Sequence, residues 1–288
     1  MKTYVRGPRG KEVVIGSGLP TVLLGERINP FAKGPVKEGV ATGNMEPIRR
    51  EALGQVEAGA DILIVSVSAF GIDEVRALPL VMEAVMDVVD VPLCIESRNP
   101  EALKKALQLG CGKPIVSSVT GERQVLEALL PLVKAHGAAL VALASDASGI
   151  PREPAGRMEV VRHILGQTDA AGIPREDILI DCVAEASAVN DKAVAVTLGS
   201  MELVQAEWGL NFVLGASNVS FGLPDRTTVN AAFLALAIKA GLTAAIVNPA
   251  AMLPYAMAAD LLVGRDPRAR RFMTYYRKRE AAEQRGQS

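Results

Sequence analysis

Eight short apolar runs rich in Val, Ile and Leu recur along the chain, separated by segments of helical period, and this alternation limits the possible folds more than any other feature. The runs are TVLLGERI (21–28), DILIVSVS (61–68), VPLCIES (91–97), KPIVSSV (113–119), AALVALAS (138–145), DILIDCV (177–183), NFVLGAS (211–217) and LTAAIVN (242–248). Each is strand-sized, and their centres are apolar on both faces, as in parallel sheets covered by helices. Between them, MEPIRREALGQVEAG, EVRALPLVMEAVMDVV, PEALKKALQLG and ERQVLEALLPLVKAHG repeat apolar residues at helical spacing. Asn99 before Pro100 fits an N-cap with proline at the first helical position, and Gly110, Gly137 and Gly172 fit helix stops. The pattern predicts an α/β protein built as a single (β/α)8 TIM barrel. An open Rossmann-like sheet is the alternative, but no GxGxxG follows the first strand.

A chain of 288 residues, 49% of them hydrophobic, can bury a large core, and with only 4% aromatics that core must be aliphatic. The expected division is an N-terminal extension (1–20), the barrel (21–264) and a basic helix packed on the barrel or in a subunit contact (265–288). A formal net charge of -1 offers no electrostatic case for nucleic acid or an anionic membrane surface. No run approaches a membrane span, and no secretory signal pattern is read at the start. Cys94, Cys111 and Cys182 lie far apart without a CxxC pair, so neither a disulfide framework nor a zinc site is expected and a reducing cytoplasm is the simplest setting.

In such a barrel the chemistry lies at the C-terminal ends of the strands. The residues there are Glu26, Arg27 and Asn29; Ser66 and Ser68; Glu96, Ser97, Arg98 and Asn99; Ser117, Ser118 and Thr120; Ser145 and Asp146; Asp181; Ser217, Asn218 and Ser220; and Asn248. This mouth of amides, hydroxyls and a few carboxylates suits a neutral polar heterocycle better than a metal or a phosphate. His136 and His163 fall on helices, which removes a His-based metal site or triad. Glu26 with Arg27 reads either as a structural ion pair or as a ligand contact, and Asn99 either as an N-cap or as a ligand. Asp181 ends an unbroken apolar run, where a carboxylate needs a partner, and points to function, as does Asn218 between two serines. Cys94 and Cys182 read as core residues rather than nucleophiles.

The segments GERIN (25–29), LCIESRNP (93–100), SSVTGER (117–123), HGAALVAL (136–143), ILIDCV (178–183) and LGASNVSFGLPDRTTVNAAFLALAIKAGLTAAIVNP (214–249) resemble the methyltetrahydrofolate:corrinoid protein methyltransferases. The resemblance runs from about residue 20 to about residue 270 and is most specific in the strand-seven stretch. It implies a pterin-binding, dihydropteroate synthase-like barrel acting on methyltetrahydrofolate or tetrahydrofolate, with a corrinoid (cobalamin) carried by a partner protein, and a homodimer. It further implies that Asp181 pairs with the amino and ring N–H edge of the pterin, that Asn99 also binds the pterin, and that Asn218 reaches N5 as the catalytic residue. Glu26 and Arg226 fall in or near the pocket, with Glu96, Ser66 and Ser220 as further substrate contacts.

The second strand departs from the family pattern, which ends in Asp-Leu-Asn-Val-Gly; here the corresponding positions include Ile64, Ser66 and Ser68. The strand-three Asp is Glu96, and Cys182 replaces a proline. Function is therefore expected to be methyl transfer between N5 of a tetrahydrofolate and the cobalt of a corrinoid protein. The alternatives are a different methyl donor or acceptor on the same barrel, a non-catalytic pterin or corrinoid-protein binding module, and a pterin synthase. The last strand, ending VNPAAM, lacks the basic cluster expected for the synthase.

Overall fold

A computed structural model of the chain describes residues 1–30 and 34–285. Residues 286–288 of the expected basic tail lie outside the described residues. All eight expected runs form parallel strands of one closed barrel. They are β3 (Val22–Ile28), β4 (Ile62–Ser66), β5 (Leu93–Glu96), β6 (Ile115–Val119), β7 (Ala139–Leu143), β8 (Ile178–Asp181), β9 (Asn211–Gly215) and β10 (Ala244–Val247), preceded by β1 (Lys2–Arg6) and β2 (Glu12–Gly16). The order is sequential, and β10 closes the ring against β3. Side chains alternate across each strand, so the barrel has two apolar layers. Leu24, Ile62, Cys94, Ile115, Val141, Leu179 and Val213 fill the interior, whereas Leu63, Val65, Ile95, Val116 and Ile180 face the helices.

The N-terminal extension is itself structured. β1 and β2 form an antiparallel hairpin whose Val5 and Ile15 are fully buried in the interior barrel cluster. This hairpin stops the end of the barrel opposite the strand C-termini. Asn211, at the start of β9, donates through Nδ2 to Thr3 Oγ1 at 3.0 Å and to the Ile15 carbonyl at 3.1 Å, tying plug to barrel. At the same end, buried Asp260 accepts from the Thr21 N–H at 2.8 Å and the Thr21 hydroxyl at 2.7 Å. Asp260 also lies 3.7 Å from Arg265 and 3.6 Å from Arg271. Asp266 accepts from the N–H groups of Arg271 and Phe272 and so starts the basic helix Arg270–Arg285, most of which is exposed.

Candidate active site

Two bulges shape the open end of the barrel. Between Gly25 and Ile28 the register of β3 against β4 gains a residue, and between Ser117 and Val119 β6 gains one against β7. A bulge re-aims side chains beside it; here consecutive Ser117 and Ser118 both line the mouth. The mouth is a cavity of about 710 Å³, within the range of a small-molecule site. Its floor is apolar, made by Ile64, Val141, Leu143 and Ile246, and its walls carry Glu26, Glu74, Glu96, Arg98, Asp181 and Asn218.

Asp181 reaches this wall because it lies two residues beyond inward-facing Leu179 on β8. It accepts a hydrogen bond from the Val183 N–H at 2.7 Å. Burial pushes its carboxyl up to about 7, against the opposing pull of that hydrogen bond and of the Arg157 charge. Val183 takes a left-handed backbone (φ 62), costly for a β-branched residue. Arg157, fully buried on the helix Pro154–Ala170, holds this turn in place. It donates to the Cys182 and Val183 carbonyls at 2.5 and 2.8 Å, and its other side pairs with Glu185.

Glu26 accepts from the Ser217 hydroxyl at 2.8 Å. Burial raises its carboxyl, opposed by that bond and by the charges of Arg226 and Arg27. Of the two readings of Glu26 with Arg27, the structural ion pair does not form: Arg27 turns outward to Glu51 at 2.9 Å, and Glu26 lines the mouth. Glu96 lines the mouth at an exposed position; partial loss of water around its carboxylate raises the carboxyl, with Arg98 opposing and Glu74 reinforcing the rise. Asn218, in the single-turn helix Ala216–Ser220, is exposed to the cavity. Gly215 makes room for it, since a Cβ there would stand 2.9 Å from Asn218 Nδ2.

The remaining candidates are placed differently. Asn99 commits Oδ1 to the N–H groups of Glu101 and Ala102 at 3.0 and 3.2 Å, so it is an N-cap, and it does not line the cavity. Ser66 is buried on the inward face of β4 beneath the lining residues; Ser68, two residues on, lines the mouth instead. Ser220 is also buried and accepts from Arg226 Nε at 2.9 Å, so its contact is with Arg226. Cys94 and Cys182 are buried with their thiols pushed well up by burial, as core residues should be.

The sequence reading missed Glu74, at the start of the helix Glu74–Val88. Its two oxygens accept from the hydroxyls of Ser68 at 2.8 Å and Ser97 at 2.7 Å, and it lines the mouth. A carboxylate thus stands beside β4 although the strand itself carries Ile64. The signal in the sequence was a serine-ended strand followed by an acidic first helical turn. It reads equally well as ordinary helix capping, which Asp73 does provide here.

A model of the pterin binding enzyme family matches residues 26–248. The chain is 30% identical over 262 residues to a methylcorrinoid:tetrahydrofolate methyltransferase of Eubacterium limosum, covering 89% of this chain and 96% of that relative. It is 28% identical over 249 residues to a methionine synthase of Mycobacterium leprae (strain TN), covering 82% of this chain and 21% of that protein. Among solved structures, a dihydropteroate synthase of Xanthomonas albilineans in complex with indole-2-carboxylic acid and 6-chloroguanine has a TM-score of 0.68 at 19% identity, covering 90% of this chain and 98% of that one. A dihydropteroate synthase from Stenotrophomonas maltophilia, with imidazole bound, gives 0.66 at 19% identity and the same coverage. At that identity the two synthases speak for the shared barrel alone. The chain therefore belongs to the pterin-binding enzyme family, and within it resembles the methyltransferases that serve tetrahydrofolate and corrinoids.

Proposed function

We propose that this enzyme binds a tetrahydrofolate by its pterin in the barrel mouth and moves a methyl group between N5 and the cobalt of a corrinoid carried by a partner protein. The observation that carries this reading is Asp181, a carboxylate fixed over an otherwise apolar floor. A carboxylate fork matches the adjacent amino and ring N–H donors on one edge of a pterin, and charge-assisted pairs of this kind are strong. The Val183 N–H uses one lone pair of one Asp181 oxygen, so both oxygens retain acceptor capacity. Ile64, Val141, Leu143 and Ile246 suit the flat ring beneath.

In transfer from the folate, the N5–methyl bond breaks with its electron pair left on N5, which takes up a proton from solvent water reaching the open mouth. The methyl group passes to the cobalt, which supplies the nucleophile. Asn218 cannot give that proton, but its amide can hold N5 through a hydrogen bond that strengthens as charge develops there. The remaining contribution is orientation for in-line transfer.

The partner has a suitable landing surface. Phe70, Ile150, Val189 and Phe221 lie on the loops after β4, β7, β8 and β9, all at the mouth, and are 108, 41, 85 and 69% exposed. Apolar side chains gathered on one rim favour protein docking over the opening.

A second reading, with another methyl donor or acceptor in the same mouth, is favoured by Ile64, which lines the cavity where the family carries a carboxylate. Calorimetric titration with 5-methyltetrahydrofolate separates the two. The folate reading expects saturable binding that weakens about ten- to a hundredfold in Asp181→Asn, the worth of a charge-assisted contact. No binding to the unaltered protein at millimolar ligand would favour the second reading.

A further inference from the structure

Glu74 lines the mouth but has no part in the pterin contacts proposed so far. Its two oxygens are held separately. Ser68, two residues beyond β4, donates to one at 2.8 Å, and Ser97, directly after β5, donates to the other at 2.7 Å. Ser97 is itself fixed, since it is buried and accepts from the Asn99 N–H at 3.1 Å. The carboxylate is therefore pinned to the wall between β4 and β5, and each oxygen keeps a lone pair for a ligand. Two neighbours on that wall are poorer acceptors: Ile64 offers none, and the exposed Glu96 is held by no hydrogen bond among the described residues.

The strand order decides what Glu74 stands opposite. In the closed ring of β10-β3-β4-β5-β6-β7-β8-β9, β5 lies across from β9 and β4 across from β8. Glu74 thus stands across the mouth from Asn218, which follows β9, and from Asp181, which ends β8.

A tetrahydropterin has donors and acceptors in a matching arrangement. N5 and N8 are para to each other in the reduced ring, so the N8–H points directly away from N5. With N5 at Asn218 and the amino edge at Asp181, the N8–H is directed at the wall between β4 and β5. We infer that Glu74 accepts the N8–H, and that the protein thereby selects pterins carrying hydrogen on N8 over those without it. A fully oxidised pterin falls in the second class, because its N8 turns a lone pair towards the carboxylate. The two serine hydroxyls orient Glu74 before the ligand arrives, which lowers the ordering cost of the contact. This rests on the pterin reading above and adds the residue that senses the reduction state of the ring.

The test is calorimetric titration of the full chain with 5-methyltetrahydrofolate and its 8-deaza analogue, in which CH2 replaces N8–H. The unaltered protein should bind the analogue about tenfold more weakly, the worth of one charge-assisted hydrogen bond. Glu74→Ala should bind 5-methyltetrahydrofolate about tenfold more weakly than the unaltered protein does, and should bind the two probes within about twofold of each other. Should Glu74→Ala fold poorly, Glu74→Gln serves: its neutral acceptor should narrow the gap between the probes to about threefold. Variants that bind both probes less well but keep the full gap would show Glu74 to be a support for the loops alone, and overturn the inference. Equal affinity of the unaltered protein for the two probes also overturns it while leaving the pterin reading intact. Failure of both probes to bind the unaltered protein overturns both.

Discussion

Asp181 and Arg157 hold opposite ends of Val183: its N–H donates to Asp181 at 2.7 Å, and its carbonyl accepts from Arg157 at 2.8 Å. The left-handed turn at Val183 is thereby fixed, and with it the direction of the Asp181 carboxylate. Arg157→Met strips the Cys182 carbonyl and Glu185 of their Arg157 contacts and leaves the Val183 carbonyl only the Thr197 hydroxyl at 2.8 Å, which should destabilise the protein by about 3–5 kcal/mol in denaturant unfolding. Arg157→Lys keeps the charge without the fork and should lose less. A readout specific to positioning is the pH midpoint of pterin binding. It should rise in Arg157→Met, because the Arg157 charge helps keep Asp181 ionised.

Burial pushes the Asp181 carboxyl up to about 7, so under the proposed function pterin binding is expected to be pH-dependent. Only the ionised form offers both oxygens as acceptors, so affinity for 5-methyltetrahydrofolate should rise between pH 6 and pH 8, with proton release on binding. Stability should run the other way. A raised carboxyl favours the folded state while protonated, so this contribution is complete below the ordinary value near 3.8 and is lost as pH climbs through about 7. Calorimetry and thermal unfolding across that range check both signs, and Asp181→Asn should flatten both.

The strand runs and the place of the mouth were legible because aliphatic periodicity and strand-end position are local properties of the sequence. Asp181 and Asn218 could be singled out because a carboxylate ending ILI and an amide between two serines have no cheap local explanation. Glu74 was not legible: its approach to Ser68 and Ser97 depends on how the helix after β4 leans over the mouth. Arg157 was hidden by its place in an ordinary helix, far in sequence from the carbonyls it binds. The hairpin plug was visible in principle, as KTYVR and EVVIG are strand-sized runs flanking the GPRG turn, but two short strands alone show no barrel to close.

The apolar rim gives a prediction about the partner. Phe70→Ser with Phe221→Ser should raise KM for methyl transfer to a corrinoid protein about tenfold or more, as loss of exposed aromatic anchors does at interfaces. Pterin affinity, measured by titration, should change less than twofold. Equal KM values for variant and parent would remove the rim from the docking surface.

The plug gives a prediction confined to stability. Asn211→Ala leaves Thr3 and the Ile15 carbonyl without the Nδ2 donor and should cost about 1–3 kcal/mol. The loss should appear as a lower urea midpoint without a change in pterin affinity, since the hairpin lies at the closed end of the barrel.

The most direct test of the account is to mix the protein with 5-methyltetrahydrofolate and a Co(I) corrinoid and follow the visible spectrum. The account predicts conversion of Co(I) to methyl–Co(III) in the presence of the protein, slowed about a hundredfold or more in Asn218→Ala, as when a preorganised donor at a reacting atom is removed. A folded, folate-binding protein that leaves the Co(I) spectrum unchanged would contradict it.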